Sequence, residues 1–232
     1  GLARASAVLY PDDLAIFAEG KQTIAPVVHP AFTPVEDPFA EPSVRGFQVA
    51  ETYILTHGPL GYEALQKTLD AWSWAAAPLS DFYPLYFLGL DAEARGAVDF
   101  LLQEYELTNT AHIFPDDLSP QELAVLYQHG AAYFHPGGVA GWGNPMRHAI
   151  ACGRPAISVE SSAMDALVGP AALLMDSSDA KVLGAGLISL IVKDVISEGL
   201  LEATVKHSAH WIKADKFVSG LMTIYNGLLN QH

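Results

Sequence analysis

Residues 134–158 read FHPGGVAGWGNPMRHAIACGRPAIS, and their first half crowds glycines at 137, 138, 141 and 143 and prolines at 136 and 145 into ten positions. Glycine loses more backbone freedom on folding than any other residue, so such a run marks a turn with a special task. An apolar run, AAYFH, precedes it, and PMRHAIAC, apolar at helical spacing, follows it. A glycine-rich turn between a strand and a helix lets a ligand approach the main chain, and the free amides at the helix start favour an anion. It can equally be a tight connection that holds nothing. The residues alone leave both readings open. On the first, Gly141, Trp142, Gly143, Asn144 and Pro145 form the ligand-facing bend.

His57 and His135 each close a β-rich run, so both fall at the same edge of a parallel sheet. An imidazole there can touch a phosphate or a hydroxyl, and a packing role is just as open. Glu160 and Asp165, after the run PAISV, lie near the same edge and could accept from a ligand hydroxyl. Asp116 and Asp117 precede a helix start and shape its turn and dipole. His207 and His210 share a helix face at i, i+3, but no nearby cysteine or third histidine completes a metal site, and packing is the preferred reading. Cys152 reads as a small buried apolar residue. Trp72, Trp74, Trp142 and Trp211 are too scattered to make a base-stacking platform. The sequence contains no GxxxxGK[ST], GxGxxG after a strand, GxSxG or HExxH, which removes the commonest rival enzyme classes.

Composition narrows the partners. The 232 residues carry 26 acidic and 12 basic side chains, a net charge of −14, which repels nucleic-acid backbones and anionic lipid surfaces. Half the residues are hydrophobic, enough for a substantial core. A single cysteine excludes an intrachain disulfide and makes the cytoplasm the expected compartment. No apolar run approaches the roughly 20 residues of a membrane span, and residues 1–10 lack the apolar core of a signal peptide. The absence of an initiator methionine suggests numbering that begins inside a longer gene product.

The elements that must position these residues alternate strand with helix. Short strands are expected at 6–10 and 24–29, followed by a polar crossover stiffened by Pro30, Pro34, Pro38 and Pro42. From Thr52 the alternation is regular: TYILTH, then a helix in EALQKTLDAWSWA, then YPLYFLGL, a helix in ARGAVDFLLQEY, and AHIF. Ser119 with proline next and Glu122 at N3 predicts a capped helix from Pro120 to about His129. AAYFH, the helix PMRHAIAC and two further strands, PAISV and AALLM, come next, and residues 179–229 read as almost entirely helical. Strands separated by helices pair in parallel through right-handed crossovers, so the expected fold is a doubly wound α/β sheet with a helical C-terminus.

PGGVAGWGNPMRHAIACGRPAIS resembles the donor-site segment of the retaining, group 1 glycosyltransferases of the GT-B fold. That family carries a glutamate, G-F-G, a proline, and a second glutamate opening A-M-A-x-G-x-P-V. Gly141, Trp142, Gly143, Pro145, Ala149, Ala151, Gly153 and Pro155 stand at the matching places. SPQELAVLYQHGAAYFHP, SAMDALVGPAALLMDSSD and SAHWIKADKFVSGLMTIYNGLL are similar to the family's flanking segments, so the resemblance covers most of residues 53–229. SAVLY and IAPVVHPAFTP resemble the end of an N-terminal domain and the passage out of it.

The resemblance implies a Rossmann-like GT-B C-terminal domain over residues 51–232, with residues 1–50 a remnant of the preceding domain and a linker. It implies a nucleotide-sugar donor as substrate, retention of configuration, no metal or other cofactor, and an acceptor-binding domain in cis or on a partner chain. The donor-binding residues it implies are His57, Gly58, His135, Gly141, Trp142, Gly143, Asn144, Pro145 and His148. Two departures bear on chemistry. The family's two glutamates, which grip sugar and ribose, fall on Ala140 and His148, neither a carboxylate. The family's diphosphate-binding cations have no counterpart before Lys67 in THGPLGYEAL, and Arg147 or Arg154 would have to substitute. Two functions therefore stand: the donor-binding half of a glycosyltransferase, which as an isolated chain is expected not to transfer sugar, or a degenerate relative acting as a scaffold or partner subunit.

Overall fold

The computed structural model describes residues 47–115, 117–137 and 145–209, together with residues 8–9, 23–24, 44, 219, 222 and 226. Two short strands, β1 (Val8–Leu9) and β2 (Thr23–Ile24), pair in parallel. The first falls within the expected strand at 6–10 and the second meets the expected strand at 24–29 only at Ile24; the other residues of both runs lie outside the described residues.

Six further strands form one all-parallel sheet: β3 (Ile54–His57), β4 (Leu85–Leu88), β5 (Ala111–Ile113), β6 (Ala132–Phe134), β7 (Ala156–Val159) and β8 (Ala172–Met175). Their spatial order is β5-β4-β3-β6-β7-β8. The chain winds outward from β3 in one direction, returns to the other side of β3, and winds outward again. That reversal between β3 and β6 is the topological switch point, where open α/β sheets form their ligand crevice beyond the strand carboxyl ends. The expected doubly wound fold is the observed one.

The helices are α1 (Tyr62–Leu79), α2 (Ala92–Glu104), α3 (Pro120–His129), α4 (Met146–Ala151), α5 (Ser162–Val168), α6 (Ala180–Val192) and α7 (Asp194–Ser208). One core unites Ile54, Phe87, Phe134 and Ile157 of the sheet with apolar residues of α1, α2 and α6. The second unites Tyr53, Leu55, Tyr86, Tyr133 and Ala156 with those of α3, α4 and α5. Alternation along each strand divides the side chains between the two faces. On α1, Leu65, Leu69, Trp72, Ala76 and Leu79 repeat at intervals of three and four and are buried. Trp72, fully buried, donates its indole N–H to Thr110 Oγ1 at 3.0 Å.

The predicted start of α3 is met in full. Ser119 Oγ accepts from the Glu122 amide at 3.2 Å, and Glu122 Oε2 accepts from the Ser119 amide at 2.8 Å, with proline at the first helical position. Helix α5 has no counterpart in the sequence expectation; it is only 7 residues long, and its start is marked by Ser161, whose hydroxyl accepts from the Met164 amide. The expected helical C-terminus is interrupted between α6 and α7, where Lys193 adopts an extended conformation. Val44 is buried in the second core, and Phe47 stacks on Phe114 with ring centroids 4.1 Å apart. Among the described residues no helix is long and apolar enough to cross a membrane.

Candidate functional site

Helix α1 begins directly beyond the carboxyl end of β3. Its N-cap, Gly61, offers no side-chain oxygen, and the first intrahelical bond is from the Leu65 amide to the Gly61 carbonyl at 3.0 Å. The amides of residues 62–64 therefore lack both a helical acceptor and a capping side chain. These residues form one wall of a cleft of about 500 Å³, lined by Gly61, Tyr62, Glu63, Ala64 and Lys67 on that side. Among the described residues, Pro136 and Gly137 after β6, Val159 at the end of β7, and Ser178 after β8 also line it. The cleft thus opens along the carboxyl edge of the sheet, at the switch point.

Its electrostatics are mixed. The helix start carries partial positive charge, and Lys67 is the lining cation among the described residues. Lys67 is only half-buried and lies 3.0 Å from Glu63 Oε1, one helical turn earlier. An incoming anion must compete with that carboxylate for the lysine.

The expected site residues divide into three groups. Gly141, Trp142, Gly143 and Asn144, with Ala140, lie outside the described residues. Pro145 is buried and stands at the N-cap of α4 in a helical conformation. The remaining four are not among the residues described as lining the cleft. His57 Nδ1 is 2.7 Å from the Tyr127 hydroxyl, and its ring lies 6.3 Å from that of His148, which also meets Tyr127 edge-on at 5.5 Å. Burial holds the His57 imidazole down to about 4 and pushes the Tyr127 phenol well up, so both are neutral at neutral pH. Gly58 is joined to Pro59 by a cis peptide, and a Cβ on it would strike the Gly89 carbonyl. His135, 6% exposed, stacks on Tyr133 with ring centroids 6.3 Å apart, and burial lowers it to about 4 as well. His57 and His135 are therefore neutral rings, not phosphate cations.

The two arginines considered as substitute cations are differently placed. Arg154 precedes β7 and so lies at the amino edge, where its charge acts on Tyr53 and Cys152. That is the edge opposite the cleft. Arg147, in the first turn of α4, is 1% exposed, so it is not a solvated surface charge. Cys152 is half-buried with its thiol pushed up to about 12 by burial, in keeping with a packing role. His207 Nε2 lies 3.1 Å from the Leu167 carbonyl, tying α7 to α5, while His210 lies outside the described residues. The backbone at 113–115 is engaged internally: the Phe114 amide donates to the Phe87 carbonyl, and Arg95 donates to the Phe114 carbonyl. Asp116 lies outside the described residues.

Sequence reasoning missed Lys67, Tyr62, Val159 and Ser178 as cleft residues. The available signal was the helix start itself, since a glycine N-cap followed by a long amphipathic helix leaves amides free at the strand's carboxyl end.

No protein-family model matches the chain, and no curated protein sequence matches it. Solved structures do. The chain is similar to sucrose-phosphate synthase from Thermosynechococcus elongatus, at a TM-score of 0.73 and 19% identity over 99% of this chain and 60% of that one. It is similar to the C-terminal domain of a glycosyl transferase group 1 family protein from Francisella tularensis, at a TM-score of 0.64 and 12% identity over 81% of this chain and 98% of that domain. HepE of Anabaena, solved in complex with UDP and glucose, matches at a TM-score of 0.66 and 14% identity over 97% of this chain and 63% of HepE. This chain therefore has the Rossmann-like fold of a GT-B C-terminal domain and spans about three-fifths of the first of these proteins.

Proposed function

We propose that this chain, with the fold of a GT-B C-terminal domain, is the donor-binding half of a glycosyltransferase and holds a nucleoside-diphosphate sugar in the cleft before α1. The single observation that carries this reading is the cleft's position. It lies at the carboxyl edge of the sheet, at the switch point, with the uncapped start of α1 as one wall. The free amides of residues 62–64 and the Lys67 ammonium take the diphosphate. No metal is assigned a role. Transfer requires an acceptor-binding domain, in cis or on a partner chain, facing the cleft. The complex of HepE with UDP and glucose supports this ligand class by similarity of fold.

Titration calorimetry with UDP, GDP and their sugar conjugates tests the reading. Dissociation constants in the micromolar range are expected for one nucleotide series, and no heat above dilution for either series would overturn it.

A second reading, a degenerate domain serving as a scaffold or partner subunit, draws on two particular features. Glu63 sits in the cleft wall and occupies Lys67, and His148, where a carboxylate is expected, packs into the aromatic group of His57 and Tyr127. Both features weaken a donor site without disturbing the fold. The same titration separates the two readings.

A further inference from the structure

Lys67 and Glu63 give one wall of the cleft both signs of charge. They stand one helical turn apart on α1, with the ammonium nitrogen 3.0 Å from Glu63 Oε1. The Glu63 side chain is 84% exposed and that of Lys67 42%, so each can meet a ligand while it keeps its partner. Among the described lining residues Glu63 is the sole carboxylate. An ionised carboxylate has about four acceptor sites on its two oxygens, and the ion pair engages Oε1. Acceptor capacity is therefore left over in a residue that lines the cleft.

The other walls differ in kind. Pro136, Gly137 and Val159 present mostly carbon. Gly137 has φ +94°, and a Cβ on it would stand 3.2 Å from Val159, so no polar side chain is readily added there. Ser178 supplies one hydroxyl from beyond β8. A carboxylate acceptor beside an apolar wall suits a ring that shows CH groups on one face and hydroxyls at its rim. A sugar ring is such a group.

Charge decides which sugar. Hydrogen bonds from hydroxyls to a carboxylate are charge-assisted and stronger than neutral ones. A ligand carboxylate brought to the same place finds no donor on Glu63 and meets repulsion that salt screens only in part. A bare diphosphate meets the same repulsion and must compete for Lys67. The residue that hinders a free nucleoside diphosphate thus favours its conjugate with a neutral sugar.

Resting on the donor-binding reading above, we propose that Glu63 accepts hydroxyl hydrogen bonds from the donor's sugar and sets its class, a neutral hexose conjugate being bound in preference to a uronic-acid conjugate. Sugar selection then resides on α1, while positions 140 and 148 hold alanine and histidine.

The test measures calorimetric dissociation constants on the 232-residue chain, in whichever of the UDP or GDP series binds. The ligands are the free diphosphate, its neutral-hexose conjugate (UDP-glucose or GDP-mannose) and its uronate conjugate (UDP-glucuronate or GDP-mannuronate). Wild type is expected to bind the neutral conjugate about five- to tenfold more tightly than the uronate, as one charge-assisted hydrogen bond at an exposed position allows. Glu63→Gln is expected to tighten the free diphosphate and the uronate and to loosen the neutral conjugate, cutting that preference to about twofold or less. A shift by one common factor for all three ligands would overturn the proposal while donor binding stands, since Glu63 would then act through Lys67 alone. So would a wild-type chain that binds the uronate as tightly as the neutral conjugate. If the wild-type chain binds neither nucleotide series, the donor-binding reading falls and this proposal with it. A thermal melt establishes that Glu63→Gln is folded; if it is not, the two conjugates on wild-type protein decide the question alone.

Discussion

His57 and Tyr127, 70 positions apart in the chain, meet at 2.7 Å between the imidazole Nδ1 and the phenol oxygen, joining the end of the central strand β3 to helix α3. Tyr127 is buried and His57 half-buried, and both are neutral, so leaving either partner unmatched is costly. Tyr127→Phe keeps the ring and removes the bond. It is expected to lower unfolding stability by about 1–3 kcal/mol, read as a shift in the urea midpoint with an unchanged slope.

Acid should weaken the fold through His57 and His135. Burial lowers both from 6.5 to about 4, so between those values the unfolded chain binds protons that the folded chain refuses. Stability then rises with pH in that window, and is lost as pH falls from about 6.5 to about 4, at up to roughly 1.4 kcal/mol per pH unit for each histidine. Below the folded value neither adds a further change. Urea midpoints measured from pH 7 to pH 4 for wild type and for His57→Asn with His135→Asn check this: the double variant is expected to show the shallower fall.

Two glycines with opposite environments make a paired test. Gly89 has φ +59°, and a Cβ on it would run into the His57 ring; Gly96, within α2, faces open space. Gly89→Ala is expected to destabilise by more than about 1 kcal/mol through backbone strain and overpacking. Gly96→Ala is expected to stabilise by about 0.5–1 kcal/mol through helix propensity. Thermal or urea melts of the two variants should move in opposite directions.

At the cleft, Glu63 and Lys67 should respond with opposite signs. Lys67→Gln is expected to weaken nucleotide binding several-fold, and Glu63→Gln to strengthen it by about two- to fivefold, consistent with an exposed pair worth about 1 kcal/mol or less. Calorimetric dissociation constants at low and high salt check both, with the difference between variants shrinking as salt rises.

The fold was legible because its signals are local. Strong apolar runs such as LYFL, the reciprocal cap of Ser119 and Glu122, and the spacing of Leu65, Leu69 and Trp72 each declare an element within a few residues. Helix α5 escaped because a 7-residue helix barely establishes a period. The site was legible only in part. His57 and His135 were rightly assigned to the carboxyl ends of strands, but their inward packing depends on Tyr127 and Tyr133, brought near by the sheet and not by spacing in the chain. Lys67 was seen only as a late cation, because the helix geometry that turns it toward Gly137 and Val159 is not encoded in its neighbours.

Gly184 of α6 lies so near α1 that a Cβ there would come within 2.7 Å of the Ala71 carbonyl. Helix α1 starts at one wall of the cleft, and α6 starts just after Ser178 at the other. Bolted together at this waist, the opposing walls behave as a single jaw with a fixed gape.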